Sequence, residues 1–245
     1  MALKAPKRKR KPKRKRSFLD KVTLTLRALA FAAVFVVVGS ILWAAAYRFT
    51  EPPGTLLMLE RSIGGETVVN PWTPLDGISP HLVRAVIAGE DSRFCIHGGI
   101  DFDAIDKAME EAENGGRLRG ASTISQQTAK NAFLWNGRSW LRKGGEAWMT
   151  LVIETLWPKD RIMEVYLNVA EWGDGLFGAE AAARERFGKS AKDLSPREAA
   201  LLAAVLPNPH KWRVDPPGPY VRQRAATLRA RMDQVRRDGL DACVL

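Results

Sequence analysis

The stretch that decides the fold is "SPHLVRAVIAGED", residues 79–91. Ser79 offers an N-cap oxygen, and Pro80 suits the first helical position. The apolar residues that follow recur three and four positions apart, which is the spacing of one helix face. The stretch therefore predicts a helix that ends near Gly89 and places Glu90 and Asp91 at its C-terminal edge.

Helical patterns dominate the rest of the chain. Further helices are predicted from Ser122 through "TISQQTAKNAF", from near Ser139 to Pro158, over "DRIMEVYLNVAEW" and over the basic stretch "VRQRAATLRARMDQVRRD". Ser195 and Glu198 form a capping box ahead of "AALLAAVL". Strand-like segments are scarce, and residues 67–70 are the best of them. The pattern predicts a single mainly α domain.

The N-terminal region combines a basic arm with a long apolar run. Ten of the 38 Lys and Arg residues lie in the first sixteen positions, which leaves 28 basic against 27 acidic residues in the body. The charge is thus local and does not indicate a nucleic-acid-binding domain. Residues 28–47, "ALAFAAVFVVVGSILWAAAY", are long enough as a helix to span the ~30 Å hydrocarbon core of a membrane. Trp43 and Tyr47 are expected at the headgroup level.

The positive-inside rule then orients the chain. It places the arm in the cytoplasm and residues from about 50 onward outside it. A cleavable signal peptide is the competing interpretation, but its apolar core is typically only ~7–15 residues long. The arm could also bind anionic lipid.

The segments just after the apolar run, "TEPPGTLLMLER" and "NPWTPLDGISP", are rich in Pro and Gly and predict an extended linker with turns. The chain has two cysteines, Cys95 and Cys243, without metal-ligand spacing. They could pair in an oxidising compartment, but two unpaired thiols without a role are the favoured interpretation.

Glu90 opens the first candidate constellation, "EDSRFCIHGGID". A carboxylate at a helix C-terminus gains nothing from the helix dipole, and the neighbouring Asp91 tends to raise one of the two pKa values. A raised pKa makes a carboxylate a usable base near neutral pH. Taken alone, the pair is better explained as a solvated helix end, and His97 as a structural hydrogen-bonding residue rather than a zinc ligand.

Two later stretches add polar and cationic groups. In "GASTISQQTAKN" a helix capped by Ser122 would carry Thr123, Gln127 and Lys130 on one face. In "GRSWLRKGGEAW" three cationic residues precede Glu146, which could be a surface salt bridge or a cradle for a phosphate-bearing substrate. Each stretch taken alone is only weak evidence for a functional site.

In this order and spacing the stretches resemble the peptidoglycan glycosyltransferases. The matching segments are "EDSRFCIHGGID", "GASTISQQTAKN", "RKGGE", "RIMEVYLN" and "GLFGAEAAARERFGK" leading to "AALLAAVLPNP", over about residues 75–230. No Ser-x-x-Lys motif of a transpeptidase occurs, so the chain is similar to the monofunctional members. The resemblance implies a mainly α, lysozyme-like glycosyltransferase domain with a membrane-associated lobe, preceded by one transmembrane helix.

The resemblance also implies residue roles. Glu90 matches the general base that deprotonates the acceptor 4-hydroxyl of lipid II, and Glu146 matches a second essential carboxylate. Lys130 and Arg138 match contacts to the donor pyrophosphate. The remaining motif positions, expected to shape the substrate-binding cleft, are Asp91, Phe94, His97, Ser122, Thr123, Gln126, Gln127, Asn131, Arg142 and Lys143. Glu164 is expected to support the scaffold.

The expected domain organisation is a basic cytoplasmic arm (1–27), a transmembrane helix (28–48), a linker (49–74), the glycosyltransferase domain (75–235) and a C-terminal tail (236–245). The expected place is a bacterial inner membrane with the catalytic domain in the periplasm. Lipid II, the growing glycan strand, the membrane and other cell-wall synthesis or division proteins are the expected partners, and nucleic acid is not. No cofactor or metal is expected to be required, although a divalent cation could assist at the pyrophosphate.

Two alternatives remain open at this point. A lytic transglycosylase would cleave glycan with a single acidic Glu, but it would need no cationic pyrophosphate site. A membrane-tethered scaffold without catalysis would need neither carboxylate.

Overall fold

Helices form almost all of the regular structure. The computed structural model describes residues 18–115, 122–137 and 139–245. The helices are α1 Phe18–Tyr47, α2 Leu56–Ile63, α3 Pro80–Glu90, α4 Phe102–Glu113, α5 Ile124–Phe133, α6 Trp140–Leu156, α7 Lys159–Val169, α8 Ala179–Phe187, α9 Pro196–Val205 and α10 Pro219–Arg237. Two short antiparallel strands, β1 Glu171–Gly173 and β2 Leu176–Phe177, make the one sheet in these ranges. The predicted mainly α class is confirmed.

Helix α1 is the expected membrane anchor. It has 30 residues and a mean hydropathy of 2.4 in its most apolar window, so its length and composition suffice to cross a membrane. Of the described residues, those up to Leu42 form a unit of their own, and those from Trp43 onward form the second. The last turn of α1 belongs to the second unit, where the indole Nε1 of Trp157 donates to the carbonyl of Ala44 at 2.7 Å. Trp43 and Tyr47 pack there against Phe133, with ring centroids 5.2 and 5.5 Å away.

The segment after α1 contains a helix that the sequence analysis missed. The stretch predicted as an extended linker forms α2, whose N-cap Thr55 accepts a hydrogen bond from the backbone N of Met58 at 3.2 Å. The Pro and Gly residues that suggested a linker lie just before this cap, and Met58 provides the buried contact that holds the helix. The predicted strand at residues 67–70 is reduced to one bridge between Val69 and Leu176.

Helix α3 lies in the core. Ser79 caps it, Pro80 begins it, and Leu82, Val86 and Ile87 are fully buried. It packs against α9 and α10, while α5 packs against α6 and α7. The capping box of Ser195 starts α9 as predicted. This arrangement brings the C-terminus of α3 between α5 and α10, which is where the site forms.

The helices differ from the sequence predictions in two further places. The stretch "DRIMEVYLNVAEW" leaves the helix at Val169, because residues 171–173 turn into β1. Helix α4 was not predicted. It is capped by Asp101, whose Oδ1 accepts from the backbone N of Ala104 at 3.0 Å, and none of its residues is buried. The sequence did carry a signal for this helix, because Phe102, Ile105 and Met109 recur at helix spacing after the Asp101 cap.

The interpretation of the cysteines as unpaired thiols was wrong. Cys95 and Cys243 form a disulfide across 148 residues of chain, with Cα atoms 5.5 Å apart. The turns after α10 bring Cys243 to the loop that follows α3. Such proximity depends on the packing of α10 against α3, which cysteine spacing does not reveal.

Candidate active site

Glu90 is the last residue of α3, and its carboxylate is held between α5 and α10. Its side chain is 12% exposed. Oε2 accepts a hydrogen bond from the Gln127 side-chain nitrogen at 3.2 Å. Oε1 lies 3.6 Å from a guanidinium nitrogen of Arg224 and accepts no hydrogen bond from the part of the chain that is described. One oxygen is therefore anchored by a hydrogen bond, and the other is buried beside the Arg224 guanidinium without a hydrogen bond from the described residues.

The surroundings of Glu90 raise the pKa of its carboxyl group. Burial is the main cause, because it disfavours the charged form. The hydrogen bond from Gln127 and the charge of Arg224 oppose this effect, and the neighbouring Asp91 adds to it. A carboxylate with a raised pKa is a stronger base than an ordinary surface glutamate, as general base catalysis near neutral pH requires.

Tyr166 on α7 completes the hydrogen-bond chain. Its hydroxyl donates to the Gln127 side-chain oxygen at 3.4 Å, and this contact turns the amide nitrogen of Gln127 toward Glu90. The Tyr166 hydroxyl is fully buried, and burial followed by the charges of Glu90 and Asp91 raises its pKa well above the usual value. Tyr166 therefore stays neutral and orients Gln127.

Asp91 braces the start of α5 and holds His97. Its Oδ2 accepts from the backbone N of Ile124 at 3.0 Å, at the positive end of the α5 dipole. Nδ1 of His97 accepts from the backbone N of Gly99 at 3.1 Å, so Nε2 carries the proton and donates to Asp91 at 2.9 Å. Both residues thus fix the geometry around Glu90.

Helix α5 is capped by Thr123 and not by Ser122 as predicted. Thr123 forms a reciprocal capping box with Gln126, and its hydroxyl also donates to the Gly99 carbonyl at 2.5 Å. Ser and Thr are both common N-cap residues, and this tertiary contact selects the threonine. Ser122 is exposed and lines a cavity of about 260 Å³ together with Glu90.

A network of side-chain contacts holds the loop after α3 in place. Phe94 is fully buried and carries the Lys159 ammonium 4.5 Å above its ring centroid. Lys159 donates to the His97 carbonyl and to Glu154, both at 2.8 Å. Gly99 has φ +94°, and a Cβ there would lie 2.7 Å from Glu154 Cγ. Only glycine fits at that point of the loop.

A second group of charges lies on α5 and α6. Glu146 is 3% exposed and binds a guanidinium nitrogen of Arg142 at 2.6 Å, and its other oxygen binds the Lys143 ammonium. Burial lowers the pKa of Lys130; Glu146 opposes this effect, whereas Arg142 and Lys143 add to it. The four side chains therefore share one electrostatic environment with three cations and one anion. Asn131 follows Lys130 and is partly exposed, and Arg138 lies outside the described residues.

Asp91, His97 and Asp101 could hold a metal ion by position, since their ligand atoms lie within 4.8 Å of one another. Each already has a structural partner. Asp91 binds His97 and the start of α5, and Asp101 caps α4. These bonds account for the cluster as part of the scaffold.

The "RIMEVYLN" segment fixes the chain that enters α3. Oε2 of Glu164 accepts from the backbone N of Leu75 at 2.9 Å, and Glu164 pairs with Arg161. Asn168 bonds both backbone groups of Thr73, at 2.8 and 2.9 Å. These contacts support the scaffold role expected for Glu164.

The site combines a largely buried carboxylate whose pKa is raised with a separate cation cluster, an arrangement that suits group transfer from an anionic donor. A family model described as Transglycosylase matches residues 59–234. A biosynthetic peptidoglycan transglycosylase of Rhodospirillum centenum is 60% identical over 90% of this chain and 96% of its own length. Proteins of the same name from Caulobacter vibrioides and Pseudomonas aeruginosa are 52% and 55% identical, over 89% and 80% of this chain and 96% and 88% of their own lengths. The chain therefore belongs to the transglycosylase family, and its enzyme class is that of the peptidoglycan glycosyltransferases.

Sequence reasoning missed two residues of the site. Tyr166 lies in the matching segment "RIMEVYLN" but was not named as a site residue, although its hydroxyl could have suggested a polar role. Arg224 lies on the basic last helix, where it is one of six arginines and nothing local distinguishes it.

Proposed function

We propose that the protein polymerises lipid II into linear peptidoglycan strands by inverting β-1,4 glycosyl transfer, with release of undecaprenyl pyrophosphate. The observation that carries the proposal is the pairing of Glu90, a largely buried carboxylate with a raised pKa, with the cation group of Lys130, Arg142 and Lys143. Family membership supports glycosyl transfer in cell-wall synthesis.

Glu90 acts as the general base. The 4-hydroxyl of the acceptor sugar gives its proton to Oε1, and the oxygen attacks the anomeric carbon of the growing strand. The hydrogen bond from Gln127 keeps Oε2 fixed during the transfer. Proton transfer to a positioned side chain contributes ~10²–10⁴-fold to a rate.

The cations stabilise the leaving group. As the bond between the anomeric carbon and the phosphate oxygen breaks, the electron pair moves to the pyrophosphate, and Lys130 and Arg138 bind the charge that develops there. Glu146 orients Arg142 and Lys143 through its two ion pairs. No cofactor takes part in these steps, and a divalent cation would only assist the same cations.

The substrate's lipid requires the site to lie beside a membrane. Next to the cation group, α6 and the segment before it expose a set of large apolar side chains: Trp135, Trp140, Leu141, Trp148 and Leu151. Tryptophan beside Arg and Lys is typical of a membrane interface. We assign this surface to the membrane-associated lobe and α1 to a single-pass anchor in the inner membrane.

The disulfide supports a periplasmic catalytic domain. Disulfides persist in oxidising compartments and are rare in the cytosol of most bacteria. The Cys95–Cys243 bridge therefore agrees with the orientation set by the basic arm, in which the N-terminus is cytoplasmic.

The test is polymerisation of purified lipid II by the full-length protein in detergent, followed on gels that resolve glycan chains. We expect polymer with the wild type, with and without a chelator, and a rate roughly 100- to 10,000-fold lower with Glu90→Gln. Full activity of Glu90→Gln would overturn the proposal. Release of anhydro-muropeptides from sacculi without polymer would instead identify a lytic enzyme, and no reaction on either substrate would favour a scaffold.

A further inference from the structure

We propose that a groove along α10 binds the carboxylates of the peptide carried by the acceptor lipid II, and this inference rests on the proposed function. The groove has a volume of about 550 Å³. Its lining residues are Tyr220, Gln223, Arg224, Thr227, Leu228 and Arg231.

The groove begins at the general base. A guanidinium nitrogen of Arg224 lies 3.6 Å from Oε1 of Glu90. Leu228 packs over Gly89, where an added Cβ would lie 3.1 Å from Leu228 Cδ2. A chain bound along α10 would therefore pass directly beside the carboxylate that receives the proton.

Arg231 links the groove to the catalytic cavity. It also lines a second cavity, of about 370 Å³, together with Ser92 and Arg93. The same Ser92 and Arg93 border the cavity that contains Glu90. The three cavities are thus neighbours along one side of the α3–α10 contact.

The charge of the groove favours an anionic ligand. Two of its six lining residues are arginines, and none is acidic. Arg231 is exposed and forms no ion pair with the described residues, and the Nε of Arg224 is buried without a hydrogen-bond partner there. Guanidinium groups bind carboxylates through two parallel hydrogen bonds, so free carboxylates suit this surface.

The groove is distinct from the proposed pyrophosphate site. Oε2 of Glu90 faces Gln127 on α5, the helix that carries Lys130, whereas Oε1 faces Arg224 on α10. The donor pyrophosphate is thus assigned to α5 and α6, which leaves α10 to the acceptor. The acceptor lipid II is a disaccharide that carries a pentapeptide, and this peptide ends in a carboxylate, the group that Arg231 and Arg224 can bind.

The test compares Arg231→Gln with Arg229→Gln as the matched control, because Arg229 lies on the same helix but lines a different cavity. Each full-length variant polymerises lipid II and lipid II whose peptide carboxylates are converted to amides. We expect Arg231→Gln to raise KM roughly fivefold on lipid II, as loss of a partly solvated ion pair would, and to leave KM on the amidated substrate unchanged. Arg229→Gln should match the wild type on both.

Other outcomes separate the two proposals. If the wild type polymerises both substrates and Arg231→Gln is unchanged on both, the groove proposal is wrong and the glycosyltransferase proposal stands. An equal loss on both substrates, or an equal effect of Arg229→Gln, would point to lipid headgroups or general charge and would also overturn it. If the wild type polymerises neither substrate, the proposed function itself fails.

Discussion

Glu90 is a largely buried carboxylate of the candidate site and Glu146 a buried one, but their surroundings differ. Glu90 meets one amide donor and one guanidinium at 3.6 Å, and one of its oxygens accepts no hydrogen bond from the described residues. Glu146 is more deeply buried and has a cation on each oxygen. The number of cations that contact each carboxylate, and not the depth of burial, separates a base from a counter-ion.

The largest effect is expected for Glu90→Gln, which should lower the polymerisation rate roughly 100- to 10,000-fold. The same variant should be more stable than the wild type near neutral pH. A raised pKa in the folded state means that ionised Glu90 destabilises the fold, so wild-type stability falls as pH rises from the ordinary pKa of a glutamate through that of folded Glu90. Denaturant unfolding at several pH values measures this slope.

Glu185→Gln is the control, since Glu185 is exposed on α8. It should change neither rate nor stability. A destabilised Glu90→Gln variant would contradict the claim that burial makes the ionised Glu90 carboxylate unfavourable in the fold.

Glu146→Gln should also inactivate, roughly 100-fold, because the cation group loses the anion that orients it. Unlike Glu90→Gln, the Glu146→Gln variant should be less stable than the wild type. Removal of one partner from a buried ion pair typically costs ~3–5 kcal/mol, and Arg142 is only 12% exposed. Equal stability of Glu146→Gln and wild type in urea would show that Glu146 is not a counter-ion.

A smaller effect is expected for Arg224→Gln. The charge of Arg224 lowers the pKa of Glu90, so its removal should raise that pKa further and move the acid limb of the kcat/KM profile to higher pH. Arg224→Lys keeps the charge and should restore the limb. If the acid limb of the kcat/KM profile does not move in Arg224→Gln, the charge of Arg224 has no effect on the pKa of Glu90 during catalysis.

The smallest effect on the chemistry is expected when both Cys95 and Cys243 become serine. Loss of a native disulfide costs roughly 2–5 kcal/mol of unfolding free energy. The bridge joins the loop near Glu90 to the C-terminus and is far in sequence from Glu146. Hydrogen exchange should therefore increase at residues 92–99 and stay unchanged at residues 140–150. An equal increase in both regions would show that the bridge stabilises the whole fold.

Much of the fold could be predicted because its helices carry local signals. The Ser79 cap, the Ser195 capping box and the apolar spacing of α3 are all visible in the sequence. Helix α2 was missed because it follows a Pro-rich segment, and helix α4 was missed although Phe102, Ile105 and Met109 recur at helix spacing. A local sequence pattern does not show which contacts form between distant parts of the chain.

In the candidate site, too, some residues could be predicted from local motifs and others depend on tertiary contacts. The motifs indicated Glu90, Lys130 and Glu146, and the structure brings Lys130 and Glu146 into one electrostatic group. Arg224 and the pairing of Cys95 with Cys243 depend on how α10 packs against α3, more than 130 positions away in the sequence. The spacing of residues in the sequence therefore could not predict these contacts between α10 and α3.

The measurement that tests the account most directly is the carbon-13 titration of the Glu90 side-chain carboxyl in the full-length protein in detergent, with Glu90→Gln used to assign the resonance. The account predicts a pKa above the ordinary range of a glutamate, because burial outweighs Gln127 and Arg224. A pKa at or below that range would contradict the claim that Glu90 is the general base.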